Sequence, residues 1–147
     1  MIERCVSVEQ PGWLALRQAL WPHCSRARHL SEMSLYVASP ERYAPFIAYS
    51  SSAQAVGLVE ASVRTDYVNG TSSSPVAFLE GIYVVPEARC KGVATSLFAT
   101  ISRWAQSIGC KELASDALLE NETSHALHRA LGFQETERVV FFRKALS

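Results

Sequence analysis

The chain has 147 residues, of which 48% are hydrophobic and 19% charged, a composition typical of one globular domain with enough apolar residues for a core. Fourteen basic residues balance fourteen acidic ones, which argues against a general nucleic-acid binder because phosphate contacts dominate such affinity. The chain has no apolar run of membrane-span length, no signal-peptide pattern and no metal-ligand spacing among its four cysteines, so we expect one cytoplasmic domain over residues 1–147 with free thiols and no metal.

The local pattern predicts helices where apolar residues recur three or four positions apart, as Leu30, Met33 and Val37 do. It predicts strands where β-branched and aromatic residues cluster between turn residues. In chain order the predicted elements are strand 2–8, helices 11–21 and 26–38, strands 46–49, 55–66 and 76–85, helix 92–108, strand 111–115, helix 121–131 and strands 134–137 and 139–144. This alternation predicts a mixed α/β domain.

A strand, a basic loop and a helix follow one another from residue 78 onward. The strand ends in Gly81-Ile82-Tyr83-Val84-Val85-Pro86, and Arg89-Cys90-Lys91-Gly92-Val93-Ala94 follows, with the form R-x-x-G-x-A. Backbone N–H groups at a helix N-terminus bind pyrophosphate, glycine allows close approach, and the basic residues add positive charge. Taken alone, the motif also fits a surface turn with incidental basic residues. The preceding strand and the later Asn121…Leu131-Gly132-Phe133 favour a cofactor site.

This loop resembles the acetyl-CoA-binding motif of the GCN5-related N-acetyltransferase superfamily. Several longer blocks are similar to aminoglycoside 6′-N-acetyltransferases of the chromosomal enterobacterial and Acinetobacter type. These blocks, which span nearly the whole chain, are Leu16-Arg17…Leu20-Trp21, Tyr67-Val68-Asn69-Gly70, Ser73-Ser74-Pro75, Phe78-Leu79-Glu80-Gly81-Ile82, Ala114-Ser115-Asp116 and the run from Leu131 to Arg138.

The resemblance implies the acyl-CoA N-acyltransferase fold, an α/β fold whose central mixed sheet has splayed fourth and fifth strands and flanking helices. It also implies acetyl-CoA as the cosubstrate, whose pantetheine arm would lie in the gap between those strands. The residues it assigns to that cosubstrate are Ile82, Tyr83, Val84, Arg89, Cys90, Lys91, Gly92, Val93, Ala94 and Asn121. Asn121 also fits a plain helix N-cap, and the two roles are compatible.

An aminoglycoside acceptor is a polycation rich in hydroxyl groups, so its site should combine carboxylates with flat aromatic surface. Residues of these types at family-like positions are Trp21, Tyr67, Glu80, Asp116 and Glu137. Glu80 lies in an otherwise apolar strand, where a carboxylate is costly unless it is paired. Asp116 also fits a turn cap, and Trp21 also fits core packing.

The acceptor amine is largely protonated at neutral pH and must lose a proton before it attacks the thioester. Glu80 is the predicted base, directly or through a water, and Asp116 shares this role or holds the ammonium. Both carboxylates could instead mainly bind and orient. Many superfamily members have a tyrosine four residues before the glycine of Leu-Gly-Phe, and here that residue is His128. His128 is thus a candidate acid for the leaving thiolate, with unaided departure and a packed helix histidine as alternatives.

Direct transfer in a ternary complex, conferring antibiotic resistance, is the function that the resemblance implies. Two alternatives stay open: the same fold acting on a polyamine, an amino sugar or a protein N-terminus, and a non-catalytic acyl-CoA-binding module. The family often forms homodimers, and the segment 137–144 could pair or swap across a two-fold axis. Neither charge nor amphipathicity supports a nucleic-acid or membrane partner.

Overall fold

A mixed five-stranded sheet with four α-helices forms the architecture, which is of the α/β class. The structure is a computed structural model that describes residues 1–147, and it divides into two units, residues 1–115 and 116–147. The first unit contains β1 (Ile2–Arg4), α1 (Trp13–Leu20), α2 (Arg26–Ala38), β2 (Tyr43–Tyr49), β3 (Ala55–Arg64), β4 (Val76–Val84), α3 (Val93–Ser107) and β5 (Leu113–Ser115). The second contains α4 (Glu122–Ala130).

The strands of the first unit lie in the order β1-β2-β3-β4-β5. Neighbours from β1 to β4 are antiparallel, whereas β5 runs parallel to β4. A parallel neighbour needs a crossover connection, and α3 supplies it. The sheet therefore combines a hairpin-built half with one crossover strand at its far edge.

Helices cover both faces of the sheet. Trp13 and Leu16 of α1 and Met33 of α2 pack with Ile47 and Leu58 in one core cluster.

On the opposite face, α3 buries Leu97 and Ile101, and its Ala105 packs against Ala77 of β4. A Cβ at Gly57 would lie 2.9 Å from side-chain atoms of both Leu97 and Val93, so the glycine lets α3 approach β3 closely. The middle of β3 and the first four residues of β4 are consequently buried on both faces of the sheet.

In the second unit, α4 begins after Asn121, whose Oδ1 accepts a hydrogen bond from Ser124 N at 3.1 Å. The strands expected over 134–137 and 139–144 are absent, since no residue from 133 to 147 belongs to a strand. A strand exists only through its hydrogen-bonded partner, and the single chain provides none for this segment. Val139, Val140, Phe141 and Phe142 are 50–92% exposed. The prediction of two closing strands was therefore wrong for the isolated chain.

None of the helices combines the length and the apolar character that a membrane span requires.

Candidate active site

Glu80 lies at a β-bulge in β4. Gly81 pairs with Glu60 and Leu79 pairs with Ala61, so Glu80 has no residue directly opposite it on β3. A bulge bends the strand and re-aims a side chain, and bulges occur next to active sites more often than elsewhere. The Glu80 side chain is 26% exposed, so its carboxylate is both held by the protein and reachable from solvent.

Two side chains of β3 bind the carboxylate of Glu80. Ser62 donates its hydroxyl to Oε1 at 2.7 Å, and Arg64 donates from a terminal guanidinium nitrogen to the same oxygen at 3.1 Å. The guanidinium carbon of Arg64 also lies 3.6 Å from the centroid of the Phe78 ring. These partners were not predictable from the sequence, because they depend on a register that the bulge shifts.

One edge of β4 is open beyond the bulge. Pairing between β4 and β5 ends at Leu79 and Ser115, whereas β4 continues to Val84. Residues from Glu80 to Val84 therefore have a strand neighbour on the β3 side only. The expected parting of the fourth and fifth strands is present, and it exposes the strand edge that an amide-rich chain could pair with.

The N-terminus of α3 has the features of an anion site. Gly92, the residue before the helix, has φ +83°, and no side chain caps the helix and no acidic residue lies in its first turn. A Cβ at Gly92 would meet nothing within 4 Å, so the backbone is accessible there. Arg89 donates from Nε to the carbonyl oxygen of Val84 at 2.8 Å, which fixes the loop to the end of β4, and Lys91 is exposed. Free N–H groups, a helix dipole and nearby positive charge favour a phosphate group.

Trp21 follows α1 and lies against the strand beside Glu80. A Cβ added to Gly81 would be 2.5 Å from Cζ2 of Trp21 and 2.8 Å from Cδ2 of Leu20. The guanidinium carbon of Arg17 lies 4.9 Å from the centroid of a Trp21 ring. The structure thus brings together two of the predicted acceptor residues, Trp21 and Glu80, by packing the indole on the glycine next to the carboxylate.

Gly81→Ala is expected to displace the Trp21 indole, because the new methyl group would occupy its position. If Trp21 binds the acceptor, the KM for the acceptor should rise about tenfold, while the KM for acetyl-CoA should change little. Steady-state kinetics with each substrate varied in turn measures the two KM values separately. The matched control is Gly109→Ala, whose Cβ would meet nothing within 4 Å although its φ of +88° costs some stability. Equal changes in both KM values for Gly81→Ala would contradict the role of this contact.

A buried charge network lies under Trp21 and was missed from the sequence. The NH1 nitrogen of Arg17 donates to both oxygens of Glu60, at 2.5 and 2.7 Å, and Trp13 donates its indole N–H to Oε2 at 2.8 Å. Another guanidinium nitrogen of Arg17 binds the partly exposed Glu32. The Arg17 and Glu60 side chains are 1% and 0% exposed.

Burial raises the pKa of Glu60, while Arg17 and the Trp13 N–H oppose that rise. For Arg17, burial acts to lower the pKa, but the charge and hydrogen bonds of Glu60 outweigh it, so the guanidinium stays ionised. The sequence did contain a signal for Glu60, because it too is a carboxylate inside an apolar strand.

Tyr67, also predicted to bind the acceptor, is 72% exposed. The next residue, Val68, is buried against Val76 and Phe78, which anchors the loop that carries Tyr67. The structure gives Tyr67 no contact with Trp21 or Glu80, so its assignment stays a prediction.

The second unit contains Asp116, Asn121, His128 and Glu137. Asp116 and Glu137 are exposed, and Asn121 caps α4 as described. His128 is half-buried; its Nδ1 lies 2.7 Å from the carbonyl oxygen of Ser124, and its ring packs edge-on against Phe133. A carbonyl only accepts, so Nδ1 carries a proton, and Nε2 can act as an acid only in the imidazolium form.

Cys24, His29 and Glu32 have ligand atoms within 4.8 Å of one another. Arg17 Nε can only donate, and it lies 3.1 Å from His29 Nδ1. The ring proton of His29 is therefore on Nε2, which faces the carbonyl oxygen of Trp21 at 3.3 Å. Both ring nitrogens are engaged, so a metal would have to displace the buried guanidinium. The geometry favours a structural role for these residues.

Comparison with known proteins identifies relatives that match most of the chain. The model of the acetyltransferase (GNAT) family matches residues 12–133. An aminoglycoside N(6′)-acetyltransferase type 1 from Acinetobacter genomosp. 13 is 53% identical over 132 residues, covering 90% of this chain and 89% of its own length.

Solved structures are similar over nearly the full length of the chain. The apo structure of an aminoglycoside antibiotic 6′-N-acetyltransferase from Acinetobacter haemolyticus has a TM-score of 0.94 at 48% identity and covers 100% of this chain and 99% of its own. AAC(6′)-Iy in complex with the bisubstrate analogue CoA-S-monomethyl-acetylneamine has a TM-score of 0.91 at 44% identity, covering 99% and 97%.

Proposed function

The chain belongs to the acetyltransferase (GNAT) family, and on that premise we propose that it transfers an acetyl group from acetyl-CoA to the 6′-amine of aminoglycoside antibiotics and so confers resistance to them. One observation supports this proposal most directly. In a chain half identical to aminoglycoside N(6′)-acetyltransferases, a held but reachable carboxylate, Glu80, lies beside Trp21 where the edge of β4 opens.

Direct attack by the acceptor amine fits the residues of this site. Glu80 takes the proton of the amine, directly or through a water, and Trp21 offers an apolar face to a sugar ring. A backbone N–H near Val84 stabilises the oxyanion that develops on the acetyl carbonyl. Asp116 shares the role of base or holds an ammonium group of the acceptor, and Tyr67 and Glu137 bind the rest of it. His128 in its imidazolium form protonates the departing thiolate.

The open edge of β4 and the uncapped α3 N-terminus fit acetyl-CoA, which supplies the activated acetyl group. Ile82, Tyr83 and Val84 would pair with the pantetheine amides. The loop from Arg89 to Gly92 and the first turn of α3 would bind the pyrophosphate. Asn121, in the second unit, is also proposed to contact acetyl-CoA.

Acetyl-CoA is expected to protect Cys90 from alkylation. Cys90 is exposed in the proposed pyrophosphate loop, whereas Cys5 and Cys110 are buried and burial raises the pKa of both thiols. Labelling by N-ethylmaleimide, followed by peptide mass spectrometry, should be fastest at Cys90 and should slow about tenfold at a ligand concentration ten times its Kd. Cys24, partly buried and outside the proposed loop, is the internal control. Undiminished labelling of Cys90 in saturated protein would exclude this loop from the site.

Further properties form part of the proposal. The chain acts as one domain over residues 1–147, which the single family match across both units supports. It works in the cytoplasm without a metal, in line with its four free cysteines and with the engaged nitrogens of His29.

The chain forms a homodimer in which the segment 137–144 pairs across a two-fold axis. The exposed apolar residues of this segment and its lack of a strand partner support that arrangement. Light scattering should give twice the mass of the chain, and truncation after residue 136 should give a monomer. A monomeric full-length chain would overturn it.

Thiol release from acetyl-CoA tests the function. Tobramycin and kanamycin, which carry a 6′-amine, should support turnover, whereas an aminoglycoside with a 6′-hydroxyl and spermidine should not. Turnover with spermidine alone would favour the second candidate, a polyamine acetyltransferase, which the carboxylate and aromatic residues also fit. Tight acetyl-CoA binding without turnover on any amine would indicate a binding module instead.

A further inference from the structure

The two oxygens of the Glu80 carboxylate have different surroundings. Ser62 and Arg64 both donate to Oε1, at 2.7 and 3.1 Å, while Oε2 has no hydrogen-bond partner within the protein. The Glu80 side chain is 26% exposed, so the open oxygen can receive a donor from outside. An ionised carboxylate accepts on both oxygens, and the arrangement uses one of them for attachment and leaves one for a ligand.

The position of Arg64 is itself fixed. Its guanidinium carbon lies 3.6 Å from the centroid of Phe78, the residue two positions before Glu80 on β4. Such stacking holds a planar guanidinium against an aromatic face. Arg64 is 37% exposed and lies at the end of β3, so its side chain is not needed to fill the core. The charge of Arg64 and its stacking on Phe78 therefore serve to position Glu80 rather than to fill the core.

From this geometry we infer that Ser62 and Arg64 are positioning residues for Glu80: they bind Oε1, present Oε2 to the acceptor amine, and place a positive charge that favours the neutral, nucleophilic form of that amine. This inference rests on the proposed function. A site made only of carboxylates would bind an ammonium ion tightly and raise its pKa, which opposes attack on the thioester. A resident cation beside the base has the opposite effect, because a like charge disfavours the protonated amine.

Other charged groups face the same side of the sheet as Glu80. The neighbouring network contains Glu60 on β3, Arg17 on α1, and Tyr36 and Glu32 on α2. Burial raises the pKa of the Tyr36 hydroxyl, and the charges of Glu60 and Glu80 add to that rise. Arg17 is already bound to Glu60 and Glu32. Arg64 is therefore the cation of this face that binds Glu80.

The test compares Arg64→Met, Arg64→Lys and Ser62→Ala with the unaltered protein. For Arg64→Met we expect kcat at neutral pH to fall about tenfold, while the KM for the aminoglycoside stays equal or falls. We also expect the pH at which kcat reaches half its alkaline plateau to rise by about one unit. Arg64→Lys, which keeps the charge, should restore most of the pH profile. Ser62→Ala, which removes a hydrogen bond but no charge, should lower kcat without moving the profile.

The matched control is Arg103→Met, an exposed arginine on α3, which should leave kcat, KM and the pH profile unchanged. Thermal unfolding of each variant shows whether it is folded under assay conditions. An unchanged pH profile in a folded Arg64→Met variant, or no rescue by Arg64→Lys, would overturn the inference while leaving the proposed function intact. Absence of aminoglycoside turnover in the unaltered protein would instead overturn the proposed function.

Discussion

Glu80→Gln is expected to lower kcat by about two to four orders of magnitude, the usual contribution of a general base. The amide keeps the size of the carboxylate and can still accept hydrogen bonds from Ser62 and Arg64, so the local fold should survive. It cannot take a proton from an ammonium group at neutral pH. Single-turnover acetylation, measured beside acetyl-CoA binding by calorimetry, separates chemistry from cosubstrate affinity.

Two comparisons decide whether Glu80 acts as the base. Glu41→Gln, an exposed position after α2, removes the same charge elsewhere and should leave kcat unchanged. If Glu80 only binds and orients the acceptor, its replacement should raise the acceptor KM while kcat at saturation stays within about threefold. That second pattern would remove Glu80 from the role of base and leave Asp116 as the remaining proposed candidate.

Arg17→Met is expected to lower the free energy of unfolding by about 3–5 kcal/mol, because it leaves the carboxylate of Glu60 buried without its cation. It also removes the hydrogen bond from Nε to His29. Urea denaturation measures the change. The double variant Arg17→Met, Glu60→Gln should recover much of the loss, since the neutral amide still accepts from Trp13 and no unpaired charge remains.

The control for this experiment is Arg28→Met, which removes an exposed partner of Glu32 at 3.3 Å. Exposed ion pairs contribute about 0–1 kcal/mol, so its effect should be small. A loss below about 1 kcal/mol for Arg17→Met, or a double variant no more stable than the single one, would contradict the unpaired-charge explanation.

Elements with strong local signals were predictable from the sequence. The helix predicted over 26–38 has those bounds in the structure, because its apolar spacing and the N-cap Ser25 are both local features. The glycine before α3 was also predictable, since a helix that begins after a residue with φ +83° requires glycine there, and Gly92 stands in the motif R-x-x-G-x-A. The strands predicted over 134–144 were not realised, because an apolar pattern reports a tendency to pair but not where the partner lies.

Side-chain partners across strands were not predictable. Glu80 was singled out from its apolar surroundings, yet its contacts with Ser62 and Arg64 depend on the bulge between Leu79 and Gly81. A shift of one residue changes every cross-strand neighbour, and no local pattern fixes that shift. Glu60, by contrast, could have been found from the sequence. It too is a carboxylate in an apolar strand, and such a residue needs a buried partner.

The pairing of Arg17 with Glu60 also constrains how this chain can diverge. Replacing Arg17 alone leaves a buried carboxylate unpaired, and replacing Glu60 alone leaves a buried guanidinium with only the partly exposed Glu32. Each single change therefore passes through a destabilised intermediate, although the double change is expected to recover much of the lost stability. Selection against the destabilised single variants should therefore keep Arg17 and Glu60 together. Descendants of this sequence should vary at exposed positions outside the proposed site, such as Glu41, long before they vary at this pair.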